Sequence, residues 1–180
     1  EDTLTTGDAF ATGLSFISIQ KQRGLGNEVT VGRDGRLSSP VLAAALIDGL
    51  VAGGAQVSDI GCGPTPMLYF AAHELGSGGA IQVTGSHNPP THNGFKMVMG
   101  GQSFFGADIE ELGRVSAAGP DRTDDGGVLS RAIEEAYVDR LAAGAVATGL
   151  SVIWDCGNGA SGPATEKLVA CLDGTHKVLF

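Results

Sequence analysis

Between Glu28 and Val83, three short apolar runs alternate with two segments of helical spacing, and this alternation limits the fold more than any other feature of the sequence. "EVTV" (Glu28–Val31) ends at Gly32 and reads as a short buried strand. Ser38 or Ser39 then offers an N-cap, with Pro40 at the first helical position, Leu42, Leu46 and Leu50 on one face, and a stop at Gly53 and Gly54. "AQVSDIG" is the next strand, Pro66–Leu75 a second helix with Leu68, Ala71 and Leu75 aligned, and "GGAIQVT" a third strand. Parallel strands need helical crossovers to return the chain, so the expected class is α/β, with alternating strand-helix units and a mixed, largely parallel sheet. Ligands of such sheets gather at the carboxyl ends of strands. Two polar loops, "GRDGR" (Gly32–Arg36) and the segment after Val83, leave strands at such ends and are expected to face one crevice.

Outside this region the pattern is sparser. Phe10, Leu14 and Ile17 suggest a first helix, "GFKMVMGG" a strand, Asp108–Val115 a helix, and Ala117–Gly127 a surface stretch. Ile133, Tyr137 and Leu141 mark another helix, ending around Gly144–Gly149, after which "SVIWD" opens a strand. "HKVLF", ending at Phe180, reads as part of a further strand with Phe180 inside it. Two domains are expected, 1–149 carrying the polar loops and 150–180 as the start of a second α/β unit.

Composition excludes several classes. A net charge of −9 lacks the basic clusters with which a nucleic-acid surface neutralises phosphates. No apolar run approaches the ~20 residues that cross a bilayer. Cys62, Cys156 and Cys171 form no paired framework and no Cys-x-x-Cys, which fits reduced thiols and a cytoplasmic location.

The chemistry concentrates in "VTGSHNPPTHNGFK" (Val83–Lys96). Gly85 and Gly94 permit close backbone approach, Pro89 and Pro90 stiffen the turn, and Thr84, Ser86, His87, Asn88 and Asn93 supply hydroxyl, imidazole and amide groups, with Lys96 adding a mobile charge. A serine-hydrolase elbow needs Gly-x-Ser-x-Gly, but Gly85 directly precedes Ser86 and Asn88 stands where the second glycine belongs. A P-loop needs Gly-Lys-Ser/Thr, which does not follow, and His87 with His92 lacks a third metal ligand at an informative spacing. What remains is a serine that carries a group. A phosphoryl on Ser86 would bring about −1.5 to −2 charge and three acceptor oxygens, suited to Lys96, the hydroxyls, the amides and backbone N–H groups.

"TGSHNPPTHNGFK" also resembles the active-site signature of the α-D-phosphohexomutases, the phosphoglucomutase and phosphomannomutase enzymes, through Thr84, Gly85, Ser86, His87, Asn88, Pro89, Asn93, Gly94 and Lys96. "VGRDGRLSSP" (Val31–Pro40), "GPTPMLYFA" (Gly63–Ala71) and "DCGNGASG" (Asp155–Gly162) resemble further stretches of the bacterial branch in the same order. The resemblance implies reversible transfer of phosphate between the 1- and 6-positions of glucose or mannose phosphates through a hexose 1,6-bisphosphate. In that scheme Ser86 is the phosphoserine, Lys96 a proton shuttle and charge partner, and His87 the adjacent histidine. Thr84, Asn88, Asn93 and Arg36 are then candidates for phosphate or substrate contact, Arg36 as a supporting one. The resemblance also implies Mg2+ held between the group on Ser86 and three aspartates of an Asp-Gly-Asp-x-Asp-Arg loop, expected beyond Phe180.

That aspartate loop does not occur in residues 1–180, and neither does the family's early Phe-Arg-x-Tyr-Asp-x-Arg-Gly motif. The expectation is a first domain plus the opening of a second, inactive as a mutase by itself. Two other readings stand beside it. One is a phosphosugar-binding or regulatory domain that never phosphorylates Ser86. The other is dinucleotide binding at Gly157–Gly162, where "GNGASG" fits Gly-x-Gly-x-x-Gly after a strand but no acidic residue follows about twenty positions on.

Overall fold

α1 (Thr6–Gln22) starts at a reciprocal cap in which Thr5 Oγ1 accepts from the Asp8 N–H and Asp8 Oδ2 accepts from the Thr5 N–H. The computed structural model describes residues 4–123, 125–146 and 149–180. β1 (Glu28–Arg33), α2 (Ser39–Ala52), β2 (Gln56–Cys62), α3 (Thr65–Glu74) and β3 (Gly79–Val83) follow as the apolar spacing predicts. β4 (Phe95–Met99), the two-residue β5 (Gln102–Ser103), α4 (Ala107–Ala118), β6 (Gly127–Ser130) and α5 (Glu134–Ala142) come next. β7 (Ser151–Asp155), α6 (Gly162–Val169) and β8 (Thr175–Leu179) complete the order.

Six strands form one sheet in the order β5-β4-β3-β1-β2-β6. β3, β1, β2 and β6 run parallel, while β4 pairs antiparallel with β3 and β5 with β4, so the sheet is mixed and largely parallel, as expected. β7 and β8 make a separate parallel pair. Side-chain alternation on β3 then separates two cores. Ile81 and Val83 face Phe16, Ile17, Leu46 and Leu50 of α1 and α2, whereas Ala80 faces Met67, Leu68 and Ala71 of α3 together with Tyr137, Val138 and Ala164.

α1 and α2 approach backbone to backbone through glycine. A Cβ at Gly49 would sit 2.1 Å from the Phe10 carbonyl oxygen, and one at Gly13 would sit 2.3 Å from that of Leu46. This contact fixes the helical layer over β1, and with it the point where the chain leaves β1 for the loop at Asp34.

Two expectations need correction. Ser38 occupies the N-cap position of α2, but its backbone is helical and no side-chain cap bond forms. The hydroxyls of Ser38 and Ser39 are instead drawn into the loop network described below. The stretch after Ala117 ends in β6, whose Val128 and Leu129 lie on an exposed sheet edge and therefore give no alternating signal. The β7–β8 ladder runs to the pair Asp155 and Leu179, with the Cys156 N–H donating to the Leu179 carbonyl at 3.1 Å beyond it. Among the described residues no helix is long and apolar enough to cross a membrane.

Candidate active site

β1 and β3 are parallel neighbours with Arg33 opposite Val83, so their carboxyl ends release two loops side by side. The Asp34 N–H donates to the Val83 carbonyl at 2.9 Å, and the Thr84 N–H donates to Gly94 at 2.9 Å, closing the base of the second loop. Together with Gly63, Pro64 and Thr65 after β2, these loops line a crevice of about 690 Å3. Asp34, Arg36, Gln82, Thr84, Ser86 and His87 lie on one wall, and Gly157–Ser161 on the other. The glycine-rich "GNGASG" thus faces the serine loop across a shared space.

Ser86 is exposed and holds a left-handed backbone at φ 49°. Such a conformation is uncommon for a residue with a Cβ and marks a position over-determined by its surroundings. Its N–H donates to Thr84 Oγ1 at 3.0 Å and its carbonyl accepts from Arg36 Nη2 at 3.0 Å, which pins the peptide units on both sides. Asn158, on the facing wall, is a second non-glycine residue at positive φ, 53°.

Arg36 passes under the loop. Nη1 donates to the carbonyls of Pro89 at 2.7 Å and His92 at 3.0 Å, Nη2 donates to those of Ser86 and Asn88, and Nε lies 3.3 Å from Asp34 Oδ2. The guanidinium reaches the crevice wall, and its donors are engaged by four backbone carbonyls and the Asp34 carboxylate, so the contacts it makes here are loop contacts. Gly85 makes room, since a Cβ there would lie 2.4 Å from the guanidinium carbon.

Asp34 anchors this arrangement. Oδ1 accepts from the Arg36 N–H at 3.0 Å and from Ser39 Oγ, and Oδ2 accepts from the Gly85 N–H at 3.2 Å. Burial pushes the Asp34 carboxyl up, but bonds from the Ser39 hydroxyl, the Arg36 N–H, the Thr84 hydroxyl and the Gly85 N–H outweigh it and hold the group below the ordinary carboxylate range. Asn93 joins the same network, its Nδ2 donating to Ser38 and Ser39 Oγ at 2.9 Å each and its Oδ1 accepting from the Gly94 N–H. Thr84 and Asn93 are therefore occupied in shaping the loop.

His87 lines the crevice, exposed, and Asn88 is exposed above it. Lys96 does not line the crevice wall. It stands opposite Gln82 in the β3–β4 register, so the two share a sheet face, and Gln82 is a wall residue. The distance across is one strand spacing, roughly 4.8 Å, within the reach of a flexible lysine. Gln82 is buried, with Nε2 donating to Gly63 at 2.9 Å and Oε1 unpartnered.

Spacing alone reads Asp34 as an Asp-Gly turn residue, and gives no sign of Gln82. The signal for Asp34 was its place directly after a strand parallel to the one feeding Ser86. Among the described residues no three His, Cys, Asp or Glu side chains come together to hold a cation, and Asp34, engaged as above, is the only carboxylate on the crevice wall. Phe180 is not a wall residue, and its phenyl ring carries no atom that could ligate a metal. The described residues therefore do not by themselves bring together such a ligand set.

The model of phosphoglucomutase/phosphomannomutase, alpha/beta/alpha domain I, matches residues 1–118. The chain is 40% identical over 176 residues to a phosphomannomutase/phosphoglucomutase of Pseudomonas aeruginosa, covering 95% of this chain and 37% of that protein. It is 36% identical over 181 residues to a phosphoglucomutase of Neisseria gonorrhoeae, covering 99% of this chain and 39% of the relative. An X-ray crystal structure of a phosphoglucomutase/phosphomannomutase family protein from Burkholderia thailandensis superposes with a TM-score of 0.89 at 39% identity, over 98% of this chain and 40% of that one. With a three-layer α/β fold and a serine loop at a strand end, the chain belongs to the phosphoglucomutase/phosphomannomutase family. It spans less than half the length of these relatives.

Proposed function

We propose that the protein containing this chain moves phosphate between the 1- and 6-positions of a hexose phosphate, glucose or mannose, with Ser86 as the carrier. The observation that supports this most directly is Ser86 itself, exposed at the crevice with its backbone held left-handed by fixed contacts on both sides. A serine used only as a turn residue needs no such scaffold.

In the forward half-reaction the Oγ–P bond of phospho-Ser86 breaks as a sugar hydroxyl oxygen bonds to phosphorus, and the hydroxyl proton leaves to a base. The product is a hexose 1,6-bisphosphate. Turned end for end, it returns its other phosphate to Ser86 Oγ. Phosphoryl transfer depends chiefly on positioning and charge neutralisation, so no hydrolase triad is required. His87 and Lys96, whose side chains have no hydrogen-bond or ion-pair partner among the described residues, are assigned to charge neutralisation and proton transfer. The Asn88 amide is assigned to the phosphate, and Thr84, Asn93 and Arg36 to holding the loop. Mg2+ would supply further neutralisation, held by the phosphate on Ser86 and by ligands beyond Phe180.

The remaining assignments belong to the same reading. The domain boundary is placed near Gly149, between the six-stranded sheet and the β7–β8 pair, and the compartment is cytoplasmic, in keeping with three free cysteines. The test is turnover of the full-length protein with Ser86→Ala. Loss of mutase activity by about 10³-fold or more is expected, as for other catalytic nucleophiles. Activity within tenfold of wild type would place the carrier elsewhere, and phosphosugar binding without turnover in the wild type would favour a regulatory domain.

A further inference from the structure

We propose that Arg36 is a positioning residue for phosphoryl transfer, setting the orientation of Ser86 through the loop backbone without touching the sugar phosphate. The inference rests on the carrier role proposed for Ser86.

The loop cannot close by its own backbone bonds alone. Pro89 and Pro90 have no N–H to donate, and the carbonyls of Ser86 and Asn88 find no backbone donor among the described residues. Four inward carbonyls, those of Ser86, Asn88, Pro89 and His92, converge on one guanidinium at 2.7–3.0 Å. Arginine is the side chain that meets this demand, because it carries five N–H donors in a rigid planar fork and no acceptor. A lysine ammonium at the same place has three donors on a tetrahedral point and cannot reach four acceptors arranged around a plane.

The consequence falls on Ser86. Its carbonyl is held by Nη2 and its N–H by Thr84, and these two bonds define the left-handed turn that aims the side chain. The Asp34 carboxylate, paired at Nε and bonded to the Gly85 N–H, fixes the guanidinium relative to the residue before Ser86. Removing the fork frees the Ser86–His87 peptide to rotate toward ordinary negative φ, and the Oγ then leaves its line with the incoming hydroxyl. A misplacement of about 1 Å costs about 10²-fold in rate.

The test uses the full-length protein with Arg36→Lys and Arg36→Gly, with wild type and Ser86→Ala alongside. For Arg36→Lys, kcat is expected to fall about 10²-fold with KM within about threefold, the pattern of a contact that does not bind substrate. Millimolar guanidinium is expected to restore part of the kcat of Arg36→Gly and nothing to Ser86→Ala. Hydrogen exchange of the Asn88 and His92 amides is expected to accelerate in both Arg36 variants with core amides unchanged, a readout independent of turnover. A raised KM at unchanged kcat would overturn the proposal by making Arg36 a substrate contact. Unchanged loop exchange would overturn it by showing that the loop holds its own shape. If Ser86→Ala stays active while exchange responds as predicted, the carrier reading fails and the clamp on the loop stands.

Discussion

Replacing Asp34 by asparagine should loosen the serine loop while leaving the sheet and its two cores intact. The substitution keeps shape and removes one acceptor oxygen. The amide is best accommodated with its oxygen at the Oδ1 position, retaining the bonds from Ser39 Oγ and the Arg36 N–H, so its NH2 meets the Gly85 N–H and Arg36 Nε. One charge-assisted hydrogen bond, worth about 1.5–3 kcal/mol, is lost. A partly exposed ion pair adds up to about 1 kcal/mol more. The sum, about 1.5–4 kcal/mol, is a factor of roughly 10 to 1,000 in the opening equilibrium of the loop. Amide exchange of Gly85 and its neighbours, followed by NMR on labelled protein at neutral pH, measures that factor directly. The pH dependence supplies the sign. Because the folded-state pKa of Asp34 lies below the ordinary value, its contribution is fully present above the unfolded-state pKa of about 3.9 and is lost as pH falls through the lowered folded-state value. Wild type should therefore show an acid opening of the loop, after correction for intrinsic exchange, that the asparagine variant lacks. Equal Gly85 exchange in the two proteins at neutral pH, or the same acid step in both, would refute the reasoning.

Two glycines in helices predict opposite outcomes for one substitution. Gly49→Ala forces a Cβ to within 2.1 Å of the Phe10 carbonyl and must part α1 from α2, so the overpacking cost of about 1–3 kcal/mol should exceed the gain of roughly 1 kcal/mol in helix propensity. Gly113→Ala, on the exposed side of α4 with nothing within 4 Å of the new carbon, should stabilise by up to about 1 kcal/mol. Urea denaturation of both variants beside wild type checks the signs, and a neutral Gly49→Ala would mean that the helices are not in backbone contact.

The α/β architecture was legible because Leu42, Leu46 and Leu50 are buried at helical spacing and the short runs Val29–Val31 and Ala80–Val83 are buried throughout, as strands of a sheet covered on both faces are. β6 was not, since a short edge strand with Val128 and Leu129 exposed has neither alternation nor burial to announce it. Ser38 and Ser39 illustrate a different limit. Their position before Pro40 reads as a helix cap, yet their hydroxyls accept from Asn93, more than fifty residues away, and that competition is invisible to local rules. Asp34 and Arg36 read as ordinary turn residues for the same reason. Their partners lie on the loop after β3, and only the pairing of β1 with β3 brings the two loops together. The string from Thr84 to Lys96 was legible as chemistry, although not the division of labour within it, in which Thr84 and Asn93 shape the loop that presents Ser86.

The most direct test of the central claim is to locate the phosphate. Full-length protein, freshly purified and incubated with glucose 1,6-bisphosphate and Mg2+, is digested, and the peptide spanning Ser86 is sequenced by tandem mass spectrometry. Phosphate on Ser86, lost when the phosphoprotein is chased with excess hexose monophosphate, is the result predicted for a carrier. An unmodified Ser86 in protein that still turns over substrate would contradict it.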